Sequence, residues 1–128
     1  MADLIPEEVQ RFVVDYIDSI AELESLLFLR EHRDRSWTCA LVADRIYTSE
    51  EFTAGVLLKL AERGLLTVDP TTPPLFRYGP HAQEVARLLD QLAEAYAKYL
   101  VPVTDLVHKK SRRNIQGLAD AFKFKKET

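Results

Sequence analysis

Apolar residues recur at helical spacing from the start of the chain. Val9, Phe12, Val13, Tyr16, Ile17 and Ile20 make one stripe, and Pro6 at a first helical position with Glu7 and Glu8 in the first turn predicts a helix there. Ser19 followed by Glu22 has the spacing of a capping box, so a second helix is expected to about His32, with Leu23, Leu26 and Leu27 toward the core. Arg30 to Arg35 is a charged connector. Trp37 follows, expected in a short strand as a core anchor. Thr38 can cap a third helix whose apolar face is Leu41, Val42 and Ile46, and the chain turns at Tyr47 and Thr48. Ser49 caps a fourth helix with Glu50 and Glu51 in the first turn, where the helix dipole favours acids. Thr53, Val56, Leu57 and Leu60 are its inward positions, and Gly64 is its stop.

Leu65 to Asp69 and Leu75 to Tyr78 then read as two strands around a tip, Pro70 to Pro74, whose prolines stiffen it and keep it from becoming a long edge. After Gly79 and Pro80 comes the longest periodic segment, with Val85, Leu88, Leu89, Leu92, Tyr96, Tyr99 and Leu100 along one side. Pro102 is expected to kink it, and Val103, Leu106 and Val107 continue the pattern beyond. The stripe suits a homodimer interface over 85–107, or packing against the N-terminal helix. The expected organisation is an N-terminal helix (1–18), a core (19–80), a long bent helix (81–110) and a basic amphipathic tail (111–128). The fold class is mainly α with a small β-hairpin wing (α+β): a winged helix-turn-helix with helical extensions at both ends.

A length of 128 residues suits one domain, and 47% hydrophobic with 29% charged residues is an ordinary globular balance. No apolar run approaches the roughly 18 residues of a membrane helix. The acidic N-terminus lacks the order of a secretory signal, and the single Cys39 forms no internal disulfide, so a reduced, cytoplasmic setting is expected. With only four glycines there is no Gly-rich phosphate loop, which excludes nucleotide binding by that route. The net charge of −3 is unevenly spread: residues 1–34 hold nine acids against three bases, the middle is balanced, and residues 79–128 hold six acids against nine bases. Such runs keep helix faces solvated, or else draw head and tail together.

From Ser19 to Tyr78 the pattern resembles the winged-helix superfamily and is most similar to its MarR-type branch of bacterial transcriptional regulators. Trp37-Thr38, Leu41-Val42-Ala43, Ile46, Ser49, Leu57, Leu60, Arg63-Gly64-Leu65-Leu66 and Phe76-Arg77-Tyr78 carry the resemblance. It implies helices at both ends that build a dimer, and a helix at 50–63 that enters the major groove of DNA.

The groove-facing positions are then Glu50, Glu51, Ala54 and Gly55, whereas base readout draws on Arg, Lys, Asn or Gln. Two adjacent acids would also face a phosphate lattice with one charge per roughly 1.7 Å of duplex axis. Phosphate-capable groups do lie nearby: Arg45, Thr48, Ser49, Lys59 and Arg63, and on the wing Thr71, Thr72 and Arg77. They would position a duplex without reading its sequence. The expected function is a non-enzymatic transcriptional regulator contacting double-stranded DNA through phosphates. The alternative is a protein-interaction module that grips a partner through Glu50 and Glu51 or through the basic tail at 109–126. That tail, with Phe122 and Phe124 amid lysines, suits a partner groove, an anionic membrane or the acidic N-terminal helices.

No catalytic or metal site is expected. His32, His81 and His108 fall on different elements, and neither Cys-x-x-Cys nor His-Glu-x-x-His spacing occurs. Cys39 reads as a small buried hydrophobe, or as a redox thiol if exposed with a lowered pKa. No cofactor is implied.

Overall fold

The computed structural model describes residues 4–109, and the tail at 110–128 with the readings placed on it lies outside the described residues. The elements are α1 (Glu7–Tyr16), α2 (Ile20–Glu31), α3 (Cys39–Arg45), α4 (Glu50–Glu62), β1 (Leu66–Asp69), β2 (Leu75–Tyr78), α5 (Gln83–Lys98) and α6 (100–109). β1 and β2 pair antiparallel with Leu66 opposite Tyr78 and Val68 opposite Phe76. Trp37 adds one bridge to Phe76, donating and accepting backbone bonds of 2.7 Å, so β2 is flanked on both sides. This is a winged helix-turn-helix.

Three helices start on hydroxyl caps. Ser19 Oγ accepts from Glu22 N at 3.2 Å, Thr38 Oγ1 from Leu41 N at 3.2 Å, and Ser49 Oγ from Phe52 N at 3.1 Å. The Glu22 carboxylate returns to the backbone one residue before the cap, at Asp18 N (2.8 Å), a displaced version of the expected box. α4 ends in a complete Schellman motif, in which Leu65 N donates to Leu60 O and Gly64 N to Ala61 O, both at 3.0 Å. Gly64 has φ +80, and a Cβ there would sit 2.5 Å from His81 Nδ1, so both its backbone and its neighbour require glycine. His81 caps this junction by donating its backbone N–H to Gly64 O at 2.8 Å.

One core joins every helix and both strands. Val9, Phe12, Val13 and Ile17 meet Leu23, Leu26 and Leu29, then Trp37, Val42, Leu57, Leu60, Leu65 and Phe76, then Val85, Leu89, Leu92, Val103 and Val107. The four inward positions expected on α4 are the four buried ones. Trp37 is 1% exposed, its indole N–H bonded to His32 O at 3.2 Å and its ring met edge-on by Phe28.

Leu27 is half-buried and packs against the core, as expected, while Leu23, Leu26 and Leu29 turn fully inward. Two expectations need correction. Leu41 is 47% exposed, because the inward row of α3 runs through the half-buried Cys39, the buried Val42 and Ala43 and the half-buried Ile46, an i, i+3, i+4, i+7 stripe that leaves Leu41 outside. The long helix breaks at Tyr99 and not at Pro102. A continuous helix would press the proline ring on the Lys98 carbonyl and lose a hydrogen bond. With the break at Tyr99, Pro102 falls in the first turn of α6, where an N–H is unpaired anyway. Leu100 is consequently 54% exposed and leaves the stripe.

Of the stripe, Val85, Leu89 and Leu92 are buried within the chain, together with Ala95, while Leu88, Tyr96 and Tyr99 are half-buried, and α5 packs against α1. Arg87 ties the same two helices together, bonding Glu8 of α1 at 2.9 Å and Glu84 on its own helix. Hydrogen bonding to Arg87 holds both carboxyls below their ordinary range. Arg30 adds a link from α2 to Asp90 of α5 at 2.9 Å. Part of the head-to-tail attraction read from charge is thus realised inside one chain.

Candidate nucleic-acid interface

α3, the turn and α4 form the helix-turn-helix, and the wing extends from the end of α4. The turn closes through Thr48 N to Ala43 O at 3.1 Å and places Tyr47 at φ 59 with its side chain 95% exposed. A left-handed backbone at a bulky residue costs about 1 kcal/mol. Tyr47 also lines a groove of about 500 Å³ between α2, the end of α3 and α5, with Leu27, Phe28, Arg45 and Tyr96.

With Thr53, Val56, Leu57 and Leu60 buried, the opposite side of α4 presents Glu51, Gly55, Leu58 and Glu62 as one exposed row at i, i+4, i+7 and i+11. Gly55 opens onto empty space, and Leu58 is 49% exposed at the middle of the row. Beside it Phe52 is 51% exposed. The row holds two acids, one leucine and one bare backbone position; no side chain in it carries the forked donors that read guanine or the paired donor and acceptor that read adenine. Continuing the period from Glu51 and Gly55 by two further turns would have found Leu58 and Glu62 in the sequence.

The proposed phosphate contacts divide into groups. Thr48 and Ser49 sit at the start of α4, with Ser49 Oγ already accepting from Phe52 N. Lys59 is exposed on α4 one turn after Gly55, at the edge of its outward row. Thr71 and Thr72 are exposed at the wing tip, where the Thr71 hydroxyl donates to Pro73 O at 2.8 Å. Arg77 projects from β2, opposite in pleat to the buried Phe76, and its Nε donates to Arg33 O at 3.3 Å. Arg45 lies by Trp37, its guanidinium 5.8 Å from the ring centroid.

Arg63, also expected as a phosphate contact, has its guanidinium engaged within the chain. Its Nη1 donates to Tyr16 O (2.8 Å) and to Glu22 Oε1, and its Nη2 to Asp18 Oδ2 (2.7 Å). The Glu22 side chain is 4% exposed and that of Arg63 23%. Arg63 stands one residue after α4, at its C-cap, and turns back to the α1–α2 junction, satisfying a buried carboxylate there. Sequence gives no sign of this, because the partners are 41 and 45 residues away.

Ion pairs among the described residues engage Arg11, Arg30, Arg63, Arg87 and Lys98. Arg35, Arg45, Lys59 and Arg77 enter none of them. Arg35 stacks on Trp37 with its Cζ 3.9 Å from the ring centroid, a contact missed from sequence. The available signal was its place two residues before Trp37, which an extended backbone turns to the same side. The Cys39 thiol is pushed above its ordinary range by burial and by nearby Glu50, the reverse of what a reactive thiolate needs. No group of three or more His, Cys, Asp or Glu that could hold a metal occurs among the described residues. No described helix is long and apolar enough to cross a membrane.

No protein-family model and no curated protein sequence matches the chain. Solved structures do. A MarR-family transcriptional regulator from Rhodococcus sp. RHA1 is similar with a TM-score of 0.51 at 22% identity, over 87% of this chain and 81% of that one. The heme sensor protein PefR from Streptococcus agalactiae, solved with heme, aligns with a TM-score of 0.51 at 12% identity, over 90% of this chain and 84% of its own. RV1404 from Mycobacterium tuberculosis gives 0.51 at 14% identity, over 90% and 80%. The fold is therefore the MarR-like winged helix.

Proposed function

We propose that this chain is a non-enzymatic regulatory protein that holds double-stranded DNA by its phosphates, with its helix-turn-helix and wing, and without base readout from α4. The observation that carries this reading is the division of charge on the winged-helix face. Arg45, Lys59 and Arg77 enter no ion pair among the described residues, while the outward row of α4 offers Glu51 and Glu62. Thr48, Ser49 and Thr72 add neutral donors at the helix start and the wing tip, where the Thr71 hydroxyl is engaged with Pro73 O. The fold is one that transcriptional regulators use, as the Rhodococcus protein does, and the raised Cys39 pKa speaks against thiol chemistry.

Binding should weaken steeply with salt and vary little with sequence. Arg77→Ala and Lys59→Ala should each lower affinity for unrelated duplexes equally and reduce the slope of log K against log salt by about 0.9 per lost phosphate. Gel shift at several salt concentrations measures both. A chain that shifts no duplex at low salt sinks this reading. The alternative, a protein-interaction module, is favoured by the exposed Leu58 and Phe52 beside Glu51, and would then be preferred.

A homodimer through the 85–107 segment is part of the proposal, narrowed by the burial of the α5 stripe. The large apolar residues still exposed there are Leu100 and Val101, at 54% and 65%. Leu100→Glu with Val101→Glu should halve the sedimenting mass while leaving the circular dichroism spectrum unchanged. A monomeric parent chain would end the dimer proposal.

A further inference from the structure

Two guanidiniums flank the one indole of this protein. Arg35 Cζ lies 3.9 Å from the Trp37 ring centroid and Arg45 Cζ 5.8 Å from the same point. Their Cζ atoms are therefore between about 2 and about 10 Å apart, a range that includes the separations at which two guanidinium forks close on one phosphate group. Both residues are exposed, and neither enters an ion pair among the described residues, although Asp34 and Asp44 are their neighbours in sequence. Two like charges held near one ring repel each other. An oxyanion bound by both removes that repulsion.

The holding is structural. Trp37 cannot move, because its backbone pairs with Phe76 in both directions and its indole N–H is bonded to His32 O. Stacking on an aromatic face orients a guanidinium and leaves its N–H edge available, which is how arginine binds phosphate with two parallel bonds. Arg35 arrives from the α2–α3 connector, two residues before the ring, and Arg45 from the last turn of α3.

We propose that Arg35 and Arg45, positioned by Trp37, form a two-guanidinium site for a single phosphate oxyanion, occupied by one phosphodiester of a duplex backbone. This rests on the phosphate-holding reading above and adds to it a defined contact, outside the α4 row, in which Arg35 is a binding residue. Free inorganic phosphate shares the same chemistry, so both are tested.

Trp37 is the only tryptophan and reports on its own site. Its fluorescence is followed in the full chain during titration with a short random-sequence duplex at low salt, and separately with inorganic phosphate. The parent should show a saturable change. Arg35→Gln and Arg45→Gln should each weaken duplex binding about fivefold, and the double variant should abolish the Trp37 response. Because both residues serve one phosphate, the double variant should lose about 0.9 from the salt slope and not twice that. Lys59→Gln should weaken binding while leaving the Trp37 response intact, and circular dichroism checks that each variant is folded. A duplex that binds with the Trp37 response unchanged in the double variant overturns the inference and leaves the functional reading standing. If no duplex binds but phosphate perturbs Trp37 in the parent and not in the double variant, the oxyanion site stands and the duplex reading falls. No response to either ligand overturns the site.

Discussion

Replacing Arg63 with methionine is expected to lower the stability of this protein by about 3 kcal/mol, the loss seen when one member of a largely buried ion pair is removed. Methionine keeps most of the side-chain volume, so the loss comes from charge and hydrogen bonding. Glu22, with 4% of its side chain exposed, would keep its carboxylate and its bond from Asp18 N while losing the guanidinium that compensates it. Asp18 and the Tyr16 carbonyl would lose the same donor group. Urea unfolding should show a lower midpoint with an unchanged slope, and Glu22→Gln added to Arg63→Met should recover part of the loss, since a neutral amide is easier to leave without a cation. A loss below about 1 kcal/mol would mean that the α1–α2 junction does not depend on this residue. At temperatures where the variant remains folded, its affinity for duplex DNA should equal the parent's, which distinguishes an internal tie from a phosphate contact.

The second large effect is a gain. Glu51→Arg combined with Glu62→Arg should raise affinity for random duplex about thirtyfold at low salt and steepen the salt slope by about 0.9 for each new phosphate contact. Both positions are exposed on the outward row of α4, so reversal removes two repulsive charges and supplies two attractive ones without disturbing the buried Thr53, Val56, Leu57 and Leu60. Glu51 is also a first-turn acid that favours the helix dipole, so the variant should be slightly less stable, by about 0.5 kcal/mol. An unchanged affinity would show that DNA does not approach this side of α4. Affinity gained with unchanged stability would show that Glu51 serves only to set the charge of the face.

These two residues illustrate how differently the site was encoded. Glu51 could be assigned to the outer face of a helix from local information, because Ser49 names the cap, Gly64 names the stop, and the apolar period between them leaves one side over. Arg63 stands in the same run, beside that stop, and local pattern gives it the same standing as Lys59. Its destination depends on where α1 ends and α2 begins in space. The same holds for Arg35 and Arg45, which are ten positions apart in sequence and meet only at the Trp37 ring.

What the sequence by itself determined is everything governed by period, cap and turn. That includes the Ser19, Thr38 and Ser49 helix starts, the inward quartet of α4, the left-handed stop at Gly64, the hairpin with its proline tip, and Trp37 at the hairpin's side. Such features are set by interactions within about four residues or by alternation along one element, and they lead directly to a winged helix. Only the tertiary structure decided the rest. It assigned Arg63 to a buried carboxylate, covered most of the α5 stripe from within the chain, and brought Arg45 to the indole that Arg35 already neighbours in sequence. In each case the deciding term is contact or charge compensation between elements, which no local pattern carries.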